Sequence, residues 1–255
     1  MMPVKDILTV PETLQEFIQS FQVTKQTDLS GMPVNGLFGY TAYDAVSTFE
    51  TIQFKNTRQE DCRIPEMQYG LYRFVLGINH FTNRIYLLEN ILEGEESRMA
   101  DVTKLLSNRN FGTFHFEAGF EEKSNLDDEE YMKIVSMGKK RCFLGDVFQV
   151  VLSRQFSQQF KGDEFHVYRA LRNINPSPYL FYFDFGGFKL FGSSPEAQLV
   201  IEKGVARINP IAGTFKRSGN DEEDRQLAID LTNDQKENAE HVMLVDLARN
   251  DLGRV

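Results

Sequence analysis

The sequence is poor in cysteine, in basic residues and in long apolar runs, and each shortage excludes a class of protein. Its 255 residues include two cysteines, Cys62 and Cys142, which lie far apart and without metal-ligand spacing. A disulfide-stapled secreted fold is thereby excluded, and a cytoplasmic setting is expected. No apolar run approaches the roughly 20 residues that cross a bilayer, and the first residues lack the basic-then-apolar pattern of a signal peptide. We therefore expect a soluble protein with no membrane partner.

Basic residues are outnumbered by acidic ones. The chain has 28 Lys and Arg against 37 Asp and Glu, a formal net charge of -9. Nucleic-acid-binding proteins usually carry a basic face, so we expect no nucleic-acid partner. A small anionic substrate remains compatible with this charge, because a local cluster or a metal ion reverses the field at one site.

Hydrophobic periodicity predicts helices that separate runs of strands. Residues 11–25 have apolar side chains at helical spacing, and residues 69–91 have the pattern of a hairpin. Residues 146–156 are expected to form a buried strand, and short β-rich runs joined by glycine turns occupy residues 179–210. This order predicts an α+β fold, with antiparallel sheets packed with helices, rather than a doubly wound sheet.

Two helices carry start signals. Asp127 followed by Glu130 fits a capping box, and Gly145 stands where a helix-ending glycine is expected. A second helix is predicted to start near Asn233 and Asp234 and to continue to the last residues.

Five blocks of sequence, in one order, resemble the large subunit (component I) of anthranilate synthase, of the chorismate-utilising enzymes. The blocks are GDVFQVVLSRQF (145–156), NPSPYLFYFDF (175–185), FGSSPEAQLV (191–200), NPIAGTFKR (209–217) and EHVMLVDLARNDLGRV (240–255). Upstream, NGLFGYTAYDAV (35–46) resembles the glycine-rich strand segment of the same family. The resemblance implies a truncated form of the family fold. Residues 1–123 would be its N-terminal part and residues 124–255 the first part of its chorismate-binding catalytic region, both incomplete.

The resemblance also implies an internal fragment. The family begins earlier, with a Leu-Leu-Glu-Ser segment, and continues past Val255 with a catalytic histidine and a second metal carboxylate. The implied reaction converts chorismate and ammonia to anthranilate and pyruvate in tryptophan biosynthesis, with ammonia delivered by a glutamine amidotransferase subunit, component II. We expect this chain alone to be inactive.

A magnesium ion is the implied cofactor, because chorismate is a dicarboxylate and an acidic protein needs a cation to hold it. Glu237 and Glu240 continue an apolar helix stripe that includes Leu244 and Leu247. Carboxylates on such a stripe are costly to bury without a cation. The resemblance implies a metal ligand at Glu240, with Glu237 beside it. The alternative is a solvated first turn, where acidic residues favour the helix dipole.

Three further residues acquire roles from the resemblance. Glu196 would be the general acid near the departing hydroxyl, and Gly213 and Thr214 would contact chorismate. The alternatives are an exposed turn glutamate and an ordinary turn at a strand end. Ala212 stands where related enzymes that make aminodeoxychorismate or isochorismate often carry lysine, so alanine favours direct attack by ammonia.

Two other functions remain open at this point. Aminodeoxychorismate synthase component I is a sister activity, which product identification would distinguish. A non-catalytic binding domain with the same fold is the second alternative, since the family's C-terminal site residues lie outside the sequence.

We predict weak or no tryptophan binding by this chain. The resemblance places the feedback-inhibitor wall at Pro178, Tyr179 and Leu180, where prolines rigidify the chain and the aromatic ring offers a stacking face. The Leu-Leu-Glu-Ser half of the pocket is absent from the sequence. Isothermal titration calorimetry that gave micromolar affinity for tryptophan would refute this prediction.

Overall fold

The computed structural model describes residues 9–22, 35–54, 64–110, 112 and 114–254. The chain divides into two compact units, Met1–Gly112 and Thr113–Val255. Helices accompany antiparallel strand pairs in the described residues, which confirms the predicted α+β class. The boundary that we predicted between residues 123 and 124, which separates two parts of the family fold, stays a prediction.

The described residues of the first unit form two antiparallel strand pairs. Strand β1 pairs with β2 and β3 pairs with β4, all antiparallel. The predicted hairpin at 69–91 is confirmed for the part that forms β3 and β4, whereas residues 69–71 belong to β2. The side chain of Asn79 accepts hydrogen bonds from two backbone N–H groups in the turn between β3 and β4. The predicted helix at 11–25 ends at Gln19, and its last residues, 23–25, lie outside the described residues. The elements are α1 (Val10–Gln19), β1 (Leu37–Thr41), a 3₁₀ helix (Tyr43–Thr48), β2 (Met67–Leu71), β3 (Phe74–Asn79), β4 (Arg84–Glu89) and α2 (Met99–Ser107).

The second unit alternates strand pairs with helices. Strand β5 pairs with β6, β7 with β8 and β9 with β10, each antiparallel. The glycine-turn hairpins that the sequence predicts after residue 179 are therefore confirmed. The elements are β5 (Glu117–Ser124), α3 (Asp128–Phe143), β6 (Phe156–Lys161), α4 (Phe165–Ile174), β7 (Tyr179–Asp184), β8 (Lys189–Ser194), β9 (Val200–Glu202), β10 (Val205–Arg207), α5 (Asp221–Asn233) and α6 (Gln235–Leu252).

Helix α3 begins and ends where its signals predict. The Asp127 carboxylate accepts a hydrogen bond from the Glu130 N–H at 2.8 Å, and the Asp127 N–H donates to the Glu130 carboxylate at 2.9 Å. These reciprocal bonds satisfy two donors that the first turn leaves without a helical partner. Gly145 follows the helix with φ of 77°, a conformation that favours glycine.

The predicted buried strand at 146–156 is wrong. Residues 146–155 are neither strand nor helix, and Phe148 and Val151 are 78% and 87% exposed. Within the described residues this segment has no partner strand. The strand that pairs with β5 is β6, and it begins only at Phe156. The segment packs on α3 instead: Leu152 lies against the buried Gly138, where a Cβ atom would come within 3.1 Å of its Cδ1.

Helix α4 supports the hairpin formed by β7 and β8. A two-stranded hairpin is marginally stable alone, so a packed helix matters for its persistence. The ring of Phe165 on α4 meets Tyr182 on β7 edge-on at 5.1 Å, and Tyr182 stacks on Phe191 of β8 at 5.8 Å. The Tyr182 hydroxyl donates to the Glu164 carboxylate at 2.8 Å, and Lys189 forms an ion pair with the same carboxylate.

This ion pair makes the stability of the second unit depend on pH. The hydrogen bond from Lys189 lowers the pKa of Glu164 from 4.5 to about 2, and the backbone N–H of Glu164 and the Tyr182 hydroxyl contribute in the same direction. Burial, followed by the hydrogen bond to Glu164, raises the pKa of Tyr182 to about 12.

We predict that Glu164→Gln lowers the free energy of unfolding at neutral pH and has a smaller effect in acid. A depressed carboxyl pKa contributes stability that is complete above the unfolded value of 4.5 and is lost as pH falls toward about 2. Urea unfolding of both proteins across this range measures the difference. The same comparison in a Lys189→Met background should show a smaller change with pH in the difference between the two unfolding free energies. If that change with pH stayed the same, a group other than Lys189 would cause it.

Candidate functional site

Helix α6 starts at a capping residue that fixes its position. The Asp234 carboxylate accepts hydrogen bonds from the N–H groups of Lys236 and Glu237 at 2.9 and 3.0 Å. The Asn238 amide donates to the Thr232 carbonyl at 2.6 Å, which ties the start of α6 to the last turn of α5. The predicted helix start near residues 233–234 is confirmed.

The half-buried face of α6 is headed by two glutamates. Glu237, Glu240, Leu244 and Leu247 are all half-buried and recur at three- and four-residue spacing, as the sequence predicts. The helix therefore presents two carboxylates in line with an apolar stripe.

The loop before α5 is anchored by Asp224. This carboxylate accepts hydrogen bonds from the Arg217 guanidinium at 2.8 Å and from the Ser218 N–H at 2.6 Å. The hydrogen bond from Arg217 lowers the pKa of Asp224, with the Ser218 N–H acting in the same direction. Sequence reasoning missed this anchor, because a helix of acidic residues gives no local signal of which one turns back to the preceding loop.

Gly213, which precedes this anchor in the same loop, lies against Glu237. The Glu237 side chain reaches the Cα of Gly213 so closely that a Cβ atom there would overlap its Oε2 and come within 3.2 Å of its Cγ. Oε2 is buried without a hydrogen-bond partner, whereas Oε1 lies 3.6 Å from the Lys236 ammonium. Two of the predicted site residues, from different elements, are thus in contact. Thr214 follows Gly213 and is exposed.

A second feature of this unit is a cavity of about 750 Å³ beside α6. Glu196, in the loop between β8 and β9, lines it together with the α6 face one turn and more beyond Glu240. Glu196 is exposed, and its N–H donates to the Ser194 hydroxyl at 3.2 Å. The lining residues are Gln149, Val151, Glu196, Gln198, Leu199, Ile208, Pro210, Ile211, Leu244, Ala248, Asp251 and Leu252. Glu196 therefore faces the continuation of the helix stripe and does not join the contact of Glu237 with Gly213.

The predicted inhibitor wall lies at the start of β7. Tyr179 and Leu180 are successive strand residues, so their side chains point to opposite faces of the hairpin. Tyr179 pairs with Ser194, two residues before Glu196. Pro178 and Tyr179 are exposed and Leu180 is half-buried.

The residues at α6 fit a magnesium ion in part. Magnesium prefers carboxylate oxygens and keeps several waters, and a buried carboxylate oxygen without a partner is costly unless a cation or donor meets it. Glu237 offers such an oxygen, and Glu240 lies one turn further on. Across the described ranges, His, Cys, Asp and Glu form no group of three or more that could hold a metal.

Comparison with known proteins identifies the family. Residues 5–255 match the family model for chorismate binding enzyme, and the chain belongs to that family. It is 40% identical to anthranilate synthase component 1 of Aquifex aeolicus, over 86% of this chain and 47% of the relative. It is 38% identical to the Saccharolobus solfataricus protein of the same name, over 91% and 51%.

A solved structure agrees with these relatives. Anthranilate synthase component I from Streptococcus pneumoniae superposes with a TM-score of 0.76 at 30% identity, covering 100% of this chain and 56% of that one. The predicted resemblance and the predicted family fold are thereby confirmed. The chain spans about half the length of the curated relatives it matches. Among the described helices, none is long and apolar enough to cross a membrane.

We predict that Asp234→Ala lowers the free energy of unfolding by about 1 kcal/mol, because the first turn of α6 loses its capping acceptor. Asp234→Asn keeps a side-chain oxygen at the same place and serves as the matched control. Urea denaturation of the three proteins measures the effect. Equal losses in both variants would assign it to the charge of Asp234 rather than to the cap.

Proposed function

We propose that this chain is the chorismate-binding part of an anthranilate synthase large subunit. The reaction adds ammonia to chorismate, releases the ring hydroxyl as water and releases the enolpyruvyl group as pyruvate. The observation that carries the proposal is the contact of Glu237 with Gly213, which joins a buried, unpartnered carboxylate oxygen to the glycine loop. Membership of the chorismate-binding family and the names of the relatives support it.

Glu240 and Glu237 would hold a magnesium ion at the start of α6. When bound, the ion supplies positive charge for a substrate carboxylate and acts as a Lewis acid. The two side chains stand one turn apart on the half-buried face, which limits the water that competes for them. The backbone N–H of the half-buried Gly213 and the hydroxyl of the exposed Thr214 would donate hydrogen bonds to the substrate.

Glu196 would supply the proton that the leaving hydroxyl needs. A general acid in this role must come within hydrogen-bond reach of the leaving oxygen, and the exposed Glu196 side chain lines the cavity where a substrate could meet it. Its loop lies beside the α6 stripe that Glu237 and Glu240 head, which supports this placement. Ala212 offers no amine of its own, so free ammonia is the nucleophile.

The family resemblance supports two further partners. A second component, a glutamine amidotransferase, would deliver ammonia, in keeping with the relatives' name, component 1. In a large subunit that also has the Leu-Leu-Glu-Ser segment, tryptophan would act as feedback inhibitor at Pro178, Tyr179 and Leu180. These residues lie next to the strand end that leads to Glu196.

We predict that magnesium and chorismate together raise the thermal midpoint of the chain. A ligand that binds only the folded state at 100 times its Kd stabilises it by about 2.7 kcal/mol. Glu240→Gln and Glu237→Gln should each remove most of the rise, because they remove a carboxylate charge from the site. Differential scanning fluorimetry, with and without each ligand, measures the shift.

Glu222→Gln is the control for that experiment, since Glu222 lies on the exposed first turn of α5 and the change in charge is the same. If Glu222→Gln reduced the ligand-induced rise in thermal midpoint as much as Glu237→Gln and Glu240→Gln do, the rise would reflect general electrostatics. That result would count against the site. No rise in the wild type would count against the proposed function. With ammonium as donor, we expect little or no anthranilate from this chain alone. Product identification on a full-length version separates anthranilate synthase from aminodeoxychorismate synthase.

A further inference from the structure

The contact between Gly213 and Glu237 suggests why residue 213 is glycine. A glycine is required where the backbone has a positive φ or where a neighbouring atom occupies the position of a Cβ. Gly213 does not have a positive φ, in contrast to Gly219 with φ of 85°. Its backbone conformation is therefore open to other residues, and the requirement is one of space.

The neighbour that takes this space is the carboxylate of Glu237. A Cβ at residue 213 would overlap Oε2 and Cδ and would lie 3.2 Å from Cγ. Elsewhere in the chain, glycines that allow close approach face other groups: Gly39 meets the backbone of Gln68, and Gly192 meets the ring of Phe181. Gly213 is adapted to an ionisable side chain.

We propose that Gly213 is a positioning residue that holds the Glu237 carboxylate in its buried place. This inference deepens the proposed function, on which it rests, because Glu237 is one of the two carboxylates proposed to hold the cation. Gly213 leaves room for the carboxylate, Asp234 fixes the backbone of Glu237 through its N–H, and Lys236 lies near the other oxygen. Together these contacts select one orientation of the side chain.

The effect of a side chain at residue 213 depends on which yields more easily, the Glu237 side chain or the loop that carries Gly213. Glu237 meets Gly213 with the far end of a flexible side chain, whereas the Gly213 loop continues into residues that Asp224 anchors at Arg217 and Ser218. A methyl group at residue 213 would therefore displace the carboxylate toward solvent and leave the fold in place. Since Oε2 has no partner where it lies, its displacement costs the fold little.

The test measures Mn²⁺ binding to the 255-residue chain by electron paramagnetic resonance. We expect Gly213→Ala to weaken binding by about tenfold or more, the size of effect that orienting contacts have at metal sites. Glu237→Ala should weaken it at least as much, and the double variant should bind no worse than Glu237→Ala, because both changes act through one side chain. Thermal midpoints of the variants should stay close to that of the wild type.

Gly187→Ala is the matched control, because Gly187 has no atom near its Cβ position and has no positive φ, so the same methyl group meets open space. Mn²⁺ affinity unchanged in Gly213→Ala would overturn the positioning role and leave the proposed function standing. Losses that add in the double variant would also overturn it, since Gly213 would then act independently of Glu237.

Absence of Mn²⁺ binding in the wild type would contradict the proposed cation and not the positioning role. Crystal structures of the wild type and of Gly213→Ala without metal decide the role in that case. A carboxylate that moves while the loop around residue 213 stays would support it. A loop that moves while the Glu237 carboxylate stays would overturn it.

Discussion

The hydrogen bonds that Asp234 accepts at the start of α6 hold the first turn of the helix that carries Glu237 and Glu240. A helix begins where its first free N–H groups find an acceptor, and the 3.6-residue period then places side chains three and four residues apart on one face. With Asp234 as the cap, Glu237 and Glu240 fall on the same half-buried face as Leu244. The Asp234 cap thus holds the first turn of a helix whose half-buried face runs from Glu237 to Leu244, a lining residue of the cavity.

Features that depend on neighbouring residues could be predicted from the sequence. The capping box of Asp127 and Glu130 and the start of α6 involve contacts within three residues, so residue type alone indicates them. Residues 146–155 show the opposite case. Their apolar run has the composition of a buried strand, but a strand also needs a partner, and composition does not reveal where the partner lies.

The candidate site divides in the same way. The stripe of α6 could be predicted from its spacing, and the family blocks indicated Glu196, Gly213 and Thr214. The contact of Gly213 with Glu237 joins residues 24 positions apart, and no pattern signals it. Gly213 alone did not predict this contact, because a glycine after a strand more often forms a turn than leaves room for a neighbouring side chain.

The strand pairs have a consequence for how each hairpin meets its surroundings. In the part of the chain that the structure describes, every strand has one hydrogen-bonded neighbour, so every strand is also an edge. Along an antiparallel edge, N–H groups that point toward the partner alternate with groups that point away. Hydrogen exchange along β7 or β8 should therefore alternate between slow and fast amides. A further strand paired to an outer edge would protect its remaining N–H groups and remove the alternation. The exchange pattern of β7 and β8 therefore shows whether another strand pairs with their outer edges.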